Sequence, residues 1–211
     1  MSATTTKTTQ TPGSPRLTRA RVLALVAGLV VVATVVAVVF WRTAGQDRTV
    51  PYDDPQSAGL LTLCSEDGKA VTGGKVGDRP FADVVLGTTG LPAEVDPAGA
   101  VATLFAYQPR EAIATSEFSG MPLTAAGAFA DPGRPAVQVS EDVWSLDDFV
   151  TAFPATDDGY VQLRLYLGTP EAGTLSELPY DTADLRVDGD TWELVQGGTA
   201  SCADADSALV P

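Results

Sequence analysis

The chain has 211 residues, 27 of them acidic and 13 basic, for a formal net charge of −14. It contains no histidine, which excludes a Ser-His-Asp triad, a Cys-His pair and a histidine-ligated zinc site. A chain this acidic lacks the basic patch that polyanion binding needs, so no nucleic acid is expected as a partner.

The charges divide along the sequence. Residues 1–42 carry Lys7, Arg16, Arg19, Arg21 and Arg42 and no acid, while all 27 acids lie beyond. That asymmetry reads as two compartments. Residues 1–21 are rich in Thr, Ser and Pro, cannot bury a core, and are expected to be a disordered cytoplasmic tail. Thr8, Thr9 and Thr11 offer a phosphorylation target, but the simpler reading is a solvated leader whose bases fix topology.

Val22 to Trp41 is a run of 20 residues without a charge. As a helix it spans about 30 Å, the thickness of a bilayer's hydrocarbon core. Trp41 stands where an interfacial aromatic anchors a span, and the uncompensated bases before Val22 keep the N-terminus in the cytoplasm. A cleaved secretory signal is the competing reading. Its apolar region is usually shorter and ends in small residues, whereas this run ends in Phe40-Trp41-Arg42. The expectation is a single-pass protein of the cell membrane with its C-terminal part extracellular.

Residues 42–57 contain two prolines and no apolar periodicity, and read as a linker. The folded domain is expected over 58–211. Strands are predicted at Gly59–Cys64, Ala70–Thr72, Phe81–Leu86 and Ala100–Tyr107, where Val101, Thr103, Phe105 and Tyr107 share a face. Gly159–Leu167 has the clearest alternation. Val161, Leu163, Leu165 and Leu167 fall on one face, with Tyr160, Gln162, Arg164 and Tyr166 opposite. Leu185–Val187 and Trp192–Val195 flank Asp188-Gly189-Asp190, a strong hairpin signal. Ser145–Phe153 departs from this pattern: Leu146, Phe149, Val150 and Phe153 recur at helical spacing, Ser145 is an N-cap and Pro154 a stop. Short strands with one small helix predict a mainly β fold, an antiparallel β-sandwich of Ig-like architecture, with a β-barrel as the alternative.

Cys64 and Cys202 both follow the expected span, where an oxidising compartment permits a disulfide. A reactive or metal-binding pair lacks both a CxxC spacing and a histidine. Asp188, Asp190 and Glu193 could present oxygens to calcium, but the EF-hand ligand order is missing and Asp-Gly is what a hairpin turn wants anyway. No metal or other cofactor is expected. Trp144, Trp192, Tyr160, Tyr166 and Tyr107 could form a binding surface; at strand spacing such residues are more often core or cross-strand pairs.

No GxGxxG, Walker loop or SxxK motif is present. Paired-carboxylate catalysis stays open, but with 27 acids some pair meets the spacing by chance. Residues 102–110 (ATLFAYQPR), 161–168 (VQLRLYLG) and 184–192 (DLRVDGDTW) resemble stretches of single-pass cell-envelope proteins of actinobacteria. The resemblance implies the same address and no activity. The expected function is therefore non-enzymatic: a membrane-anchored module contacting another envelope protein or a cell-wall component. An envelope hydrolase or transferase using paired carboxylates is the alternative.

Overall fold

Strand β9 (Tyr160–Thr169) explains the architecture, because nearly all of its residues are buried. A strand with both faces covered needs two layers of cover, and the chain supplies both. The structure is a computed structural model, and residues 50–142 and 144–210 are described. They belong to one compact unit, Arg48–Pro211.

In chain order the strands are β1 (Ser57–Leu60), β2 (Thr62–Cys64), β3 (Gly73–Lys75), β4 (Val84–Leu86), β5 (Val101–Gln108), β6 (Ser119–Pro122), β7 (Gly127–Ala128) and β8 (Ala136–Gln138). After helix α1 (Leu146–Ala152) come β9, β10 (Gly173–Thr174), β11 (Tyr180–Asp188) and β12 (Thr191–Gln196). The larger sheet runs β3-β12-β11-β9-β5-β6, with β1, β7 and β10 pairing onto it; the smaller runs β2-β4-β8. All pairs are antiparallel except β1 with β11. Among the described residues the fold is thus mainly β, with antiparallel sheets and one α-helix.

The alternation along β9 sorts its side chains as expected. Val161, Leu163 and Leu165 face Ala102, Leu104, Ala106, Ala183 and Leu185, and join Leu61, Leu63, Val84, Val85 and Val137 of the smaller sheet in one hydrophobic core. Leu146 and Phe149 of α1 enter the same core. Ser145 caps α1 in a capping box with Asp148, which satisfies two of the N–H groups that a helix start leaves unpaired.

The hairpin signal is met by a two-residue connection. Asp188 pairs with Thr191, and Gly189 takes φ 60°, a conformation that costs glycine little. Gly159, at φ 83°, is equally constrained: a Cβ there would lie 2.3 Å from the carbonyl oxygen of Val187.

Three expectations are corrected. The strand predicted over Gly59–Cys64 is two strands in two sheets, with Leu61 between them. Ala70–Thr72 is not a strand; Ala70 makes only an isolated bridge to Cys64, and regular pairing resumes at β3 against β12. The linker expected over 42–57 is too long. Tyr52, Asp54 and Gln56 are partly buried while Pro51, Asp53 and Pro55 stay exposed, and a turn closes from Ser57 N–H to the Asp54 carbonyl at 3.1 Å, so residues 50–57 lie against the sheet as a strap.

Among the described residues, no helix is long and apolar enough to cross a membrane. The tail expected over 1–21, the span over Val22–Trp41 and linker residues 42–49 lie outside the described residues.

Candidate functional site

The second face of the larger sheet carries the polar chemistry. Its members follow from register. Thr182 and Phe105 stand opposite Arg164, and Asp184 and Tyr107 stand opposite Gln162, so these side chains share a face with Tyr160 and Tyr166. On an ordinary half-buried sheet this face would be wet. Here Arg164, Gln162, Thr182 and Asp184 are each 2% exposed or less. The cover comes from the strap, residues 50–57, and from Thr115 and Phe118.

Arg164 is the centre. Its Nη2 donates to the carbonyl oxygen of Thr115 at 2.8 Å and lies 3.6 Å from Oδ2 of Asp54. Its Nε donates to Oε1 of Gln162 at 2.7 Å, and Nη1 reaches the Tyr166 hydroxyl at 3.4 Å. The guanidinium carbon lies 4.1 Å from the ring centre of Tyr107 and 4.9 Å from that of Tyr180. Burying a cation this deeply is costly unless it is paired, hydrogen-bonded and set against aromatic faces, and all three are present.

The strap is held by side chains. Asp54 accepts from the Tyr180 hydroxyl at 3.1 Å and from the Thr115 hydroxyl at 3.2 Å. The Tyr52 hydroxyl donates to Asp184 at 2.5 Å, and its ring packs edge-on against Phe118 and Tyr160. Ser57 and Thr182 share a hydroxyl–hydroxyl bond of 2.7 Å. Beyond these contacts the strap offers β1, a parallel pairing with only three matched positions.

Asp184 is the titratable residue of note. Burial raises its carboxyl to about 6, against the lowering effect of hydrogen bonds from Tyr52 and Gln162; Asp54 pushes it up further and Arg164 pulls it down. Burial likewise raises the hydroxyls of Tyr52, Tyr107 and Tyr180. A cavity of about 250 Å³ opens beside Asp184, lined by Tyr52, Asp53, Asp54, Gln162 and Gln196 among others.

A third buried carboxylate, Asp181, lies on the core side of β11. Its Oδ2 accepts from the backbone N–H groups of Thr88 and Thr89, while Oδ1 has no partner. Gly59 leaves the room for it, since a Cβ there would come within 2.4 Å of Oδ1.

The residues singled out in the sequence fall elsewhere. Cys64 and Cys202 are bonded to each other, with Cα atoms 5.5 Å apart. Asp188, Asp190 and Glu193 are exposed on the β11–β12 hairpin, and among the described residues no group of three or more His, Cys, Asp or Glu is placed to hold a metal. The aromatics divide. Trp192 is buried edge-on against Phe81, Tyr160 and Tyr166 are buried on the second face, Tyr107 is half-buried, and Trp144 is 46% exposed. Asp54, Asp181 and Asp184 were not distinguishable among 27 acids. The signal that marked their neighbourhood was Arg164, with Gln162, within a strand of mostly apolar and aromatic residues.

No known protein family, curated protein or solved structure matches this chain.

Proposed function

We propose that this chain is a non-enzymatic, membrane-anchored β-sandwich module of Ig-like architecture that contacts another envelope protein or a cell-wall component. The observation that carries this reading is the occupation of its buried carboxylates. Asp54 is engaged by Arg164, Tyr180 and Thr115, Asp184 by Tyr52 and Gln162, and Asp181 through Oδ2 alone by the backbone of Thr88 and Thr89. A general acid or base must instead reach the substrate's proton directly or through one water. The charge-free run Val22–Trp41, with bases only on its N-terminal side, supports the anchor and the outward orientation. So does the resemblance to single-pass envelope proteins of actinobacteria.

Cross-linking in intact cells tests the reading. A stoichiometric partner, protein or wall polymer, is the expected product. Protease added to wall-stripped cells should remove the folded unit; a chain cleaved only after lysis would overturn the orientation.

A second reading, hydrolase or transferase chemistry by paired carboxylates, is favoured by one observation. Asp184, held protonated up to about pH 6, shares a cavity with Asp54. Release of product from isolated wall polymer by the native chain, lost in Asp184→Asn, would replace the first reading with this one.

A further inference from the structure

The strap over residues 50–57 is joined to the sheet in an unusual way. A segment of its length is ordinarily held by apolar burial or by a full ladder of backbone bonds. This one carries two prolines, and its regular pairing is limited to β1 at its end. The rest is held by the Tyr52 ring against Phe118 and Tyr160, by one backbone bond from Tyr180 N–H to the Gln56 carbonyl, and chiefly by polar side-chain contacts to groups fixed on the sheet: Tyr52 to Asp184, Asp54 to Tyr180 and Arg164, and Ser57 to Thr182. Beneath it lie Arg164, Tyr180 and Tyr166, a composition typical of protein-binding surfaces rather than of interiors.

We propose that residues 50–57 are a pH-sensitive strap, latched on the sheet through Tyr52 and Asp184, whose release uncovers the arginine–aromatic face. The groups around Asp184 decide the direction. From the strap come Tyr52, Asp53 and Asp54, from β9 Gln162 and Arg164, and from β12 the neutral Gln196. Two of the three strap groups are acids, and Arg164 is already committed to Asp54, Thr115 and Gln162. Ionised Asp184 is therefore left in a buried site with like charge nearby, whereas lifting the strap returns it to water. The closed strap favours the protonated carboxyl and the open strap the carboxylate. Acid closes the latch, and a rise toward neutrality loosens it. Nothing in this depends on what the unit binds.

Hydrogen exchange on the full-length chain in detergent micelles measures strap opening directly. Protection of peptides covering 50–60 is compared with that of 160–169 between pH 4.5 and 7, each corrected for the intrinsic exchange rate. With Asp184 titrating near 6 closed and near 3.8 open, the strap's opening constant should rise about twentyfold over that interval. The β9 peptide should change far less. Asp184→Asn should flatten the dependence. Tyr52→Phe keeps the ring and removes only the hydroxyl, and should raise strap exchange already at pH 4.5. Strap protection equal at both pH values in the native chain overturns the proposal, as does an Asn variant that retains the native slope.

Discussion

The guanidinium of Arg164 and the carboxylate of Asp54 lie 3.6 Å apart with side chains only 3% and 5% exposed, one on the central strand and the other on a strap far before it in the chain. Their separation is longer than a direct charge-assisted hydrogen bond, and each is also bound by neutral partners: Asp54 by Tyr180, Arg164 by Thr115 and Gln162. The pair joins the strap to the sheet by a network rather than by one bond, and networks respond asymmetrically to damage.

Removing one partner should therefore cost more than removing both. Asp54→Ala leaves Arg164 buried without its counter-ion and should destabilise the folded unit by roughly 3–5 kcal/mol. Replacing Arg164 with Met and Asp54 with Leu together should cost much less. Urea denaturation of the two variants checks the order; equal losses would mean that the pair is not coupled.

Stability should depend on pH through Asp184. Its folded value, about 6, lies above the 3.8 of an exposed aspartate, so between these values the folded state holds more of the proton than the unfolded state does. The contribution of Asp184 to stability is then fully present below about pH 4 and is lost as pH rises through 6, by roughly 3 kcal/mol in all from this group. Melting curves of the native chain and of Asp184→Asn, taken across this window, should diverge in slope. Parallel curves would remove Asp184 as the cause.

The disulfide should contribute substantially. It closes a loop of 138 residues, for which chain entropy gives about 5 kcal/mol when the native geometry is unstrained. Cys64→Ser with Cys202→Ser should lower stability by roughly 2–5 kcal/mol. Thiol labelling of the denatured, unreduced chain should find no reactive cysteine.

Calcium should leave the melting temperature unchanged, because Asp188, Asp190 and Glu193 are exposed on a hairpin that glycine geometry already explains. A tight site would add about 2.7 kcal/mol at a hundredfold excess over its dissociation constant. A saturable rise, lost in Asp190→Ala, would restore the metal reading.

Local features were legible in the sequence. Alternation placed β9 and sorted its faces, Asp188-Gly189-Asp190 marked the hairpin, and Ser145 with the Leu146–Phe153 spacing marked α1. The burial of Tyr160, Gln162, Arg164 and Tyr166 was not legible. Alternation says which residues share a face, and it is silent on whether that face is covered. The cover over Arg164 comes from residues 50–57, whose prolines and acids read as a linker because its partners are polar and distant in the chain. Asp184 was hidden for the same reason: only its register opposite Gln162 and the approach of Tyr52 distinguish it from Asp188.

The bond between Cys64 and Cys202 has a mechanical meaning. Tension applied between residue 50 and any point beyond Cys202 runs through that covalent link and bypasses residues 65–201. The strap, β1 and β2 precede the link, so they are the part of the N-terminal side that can lengthen under load. At about 3.4 Å per residue, residues 50–63 reach at most roughly 45–50 Å when fully extended, so peeling lengthens the chain only by the excess of that reach over the distance they already span, and then the chain stiffens. The strap is thus a shock absorber in series with a locked body, and its polar contacts set the force at which it gives.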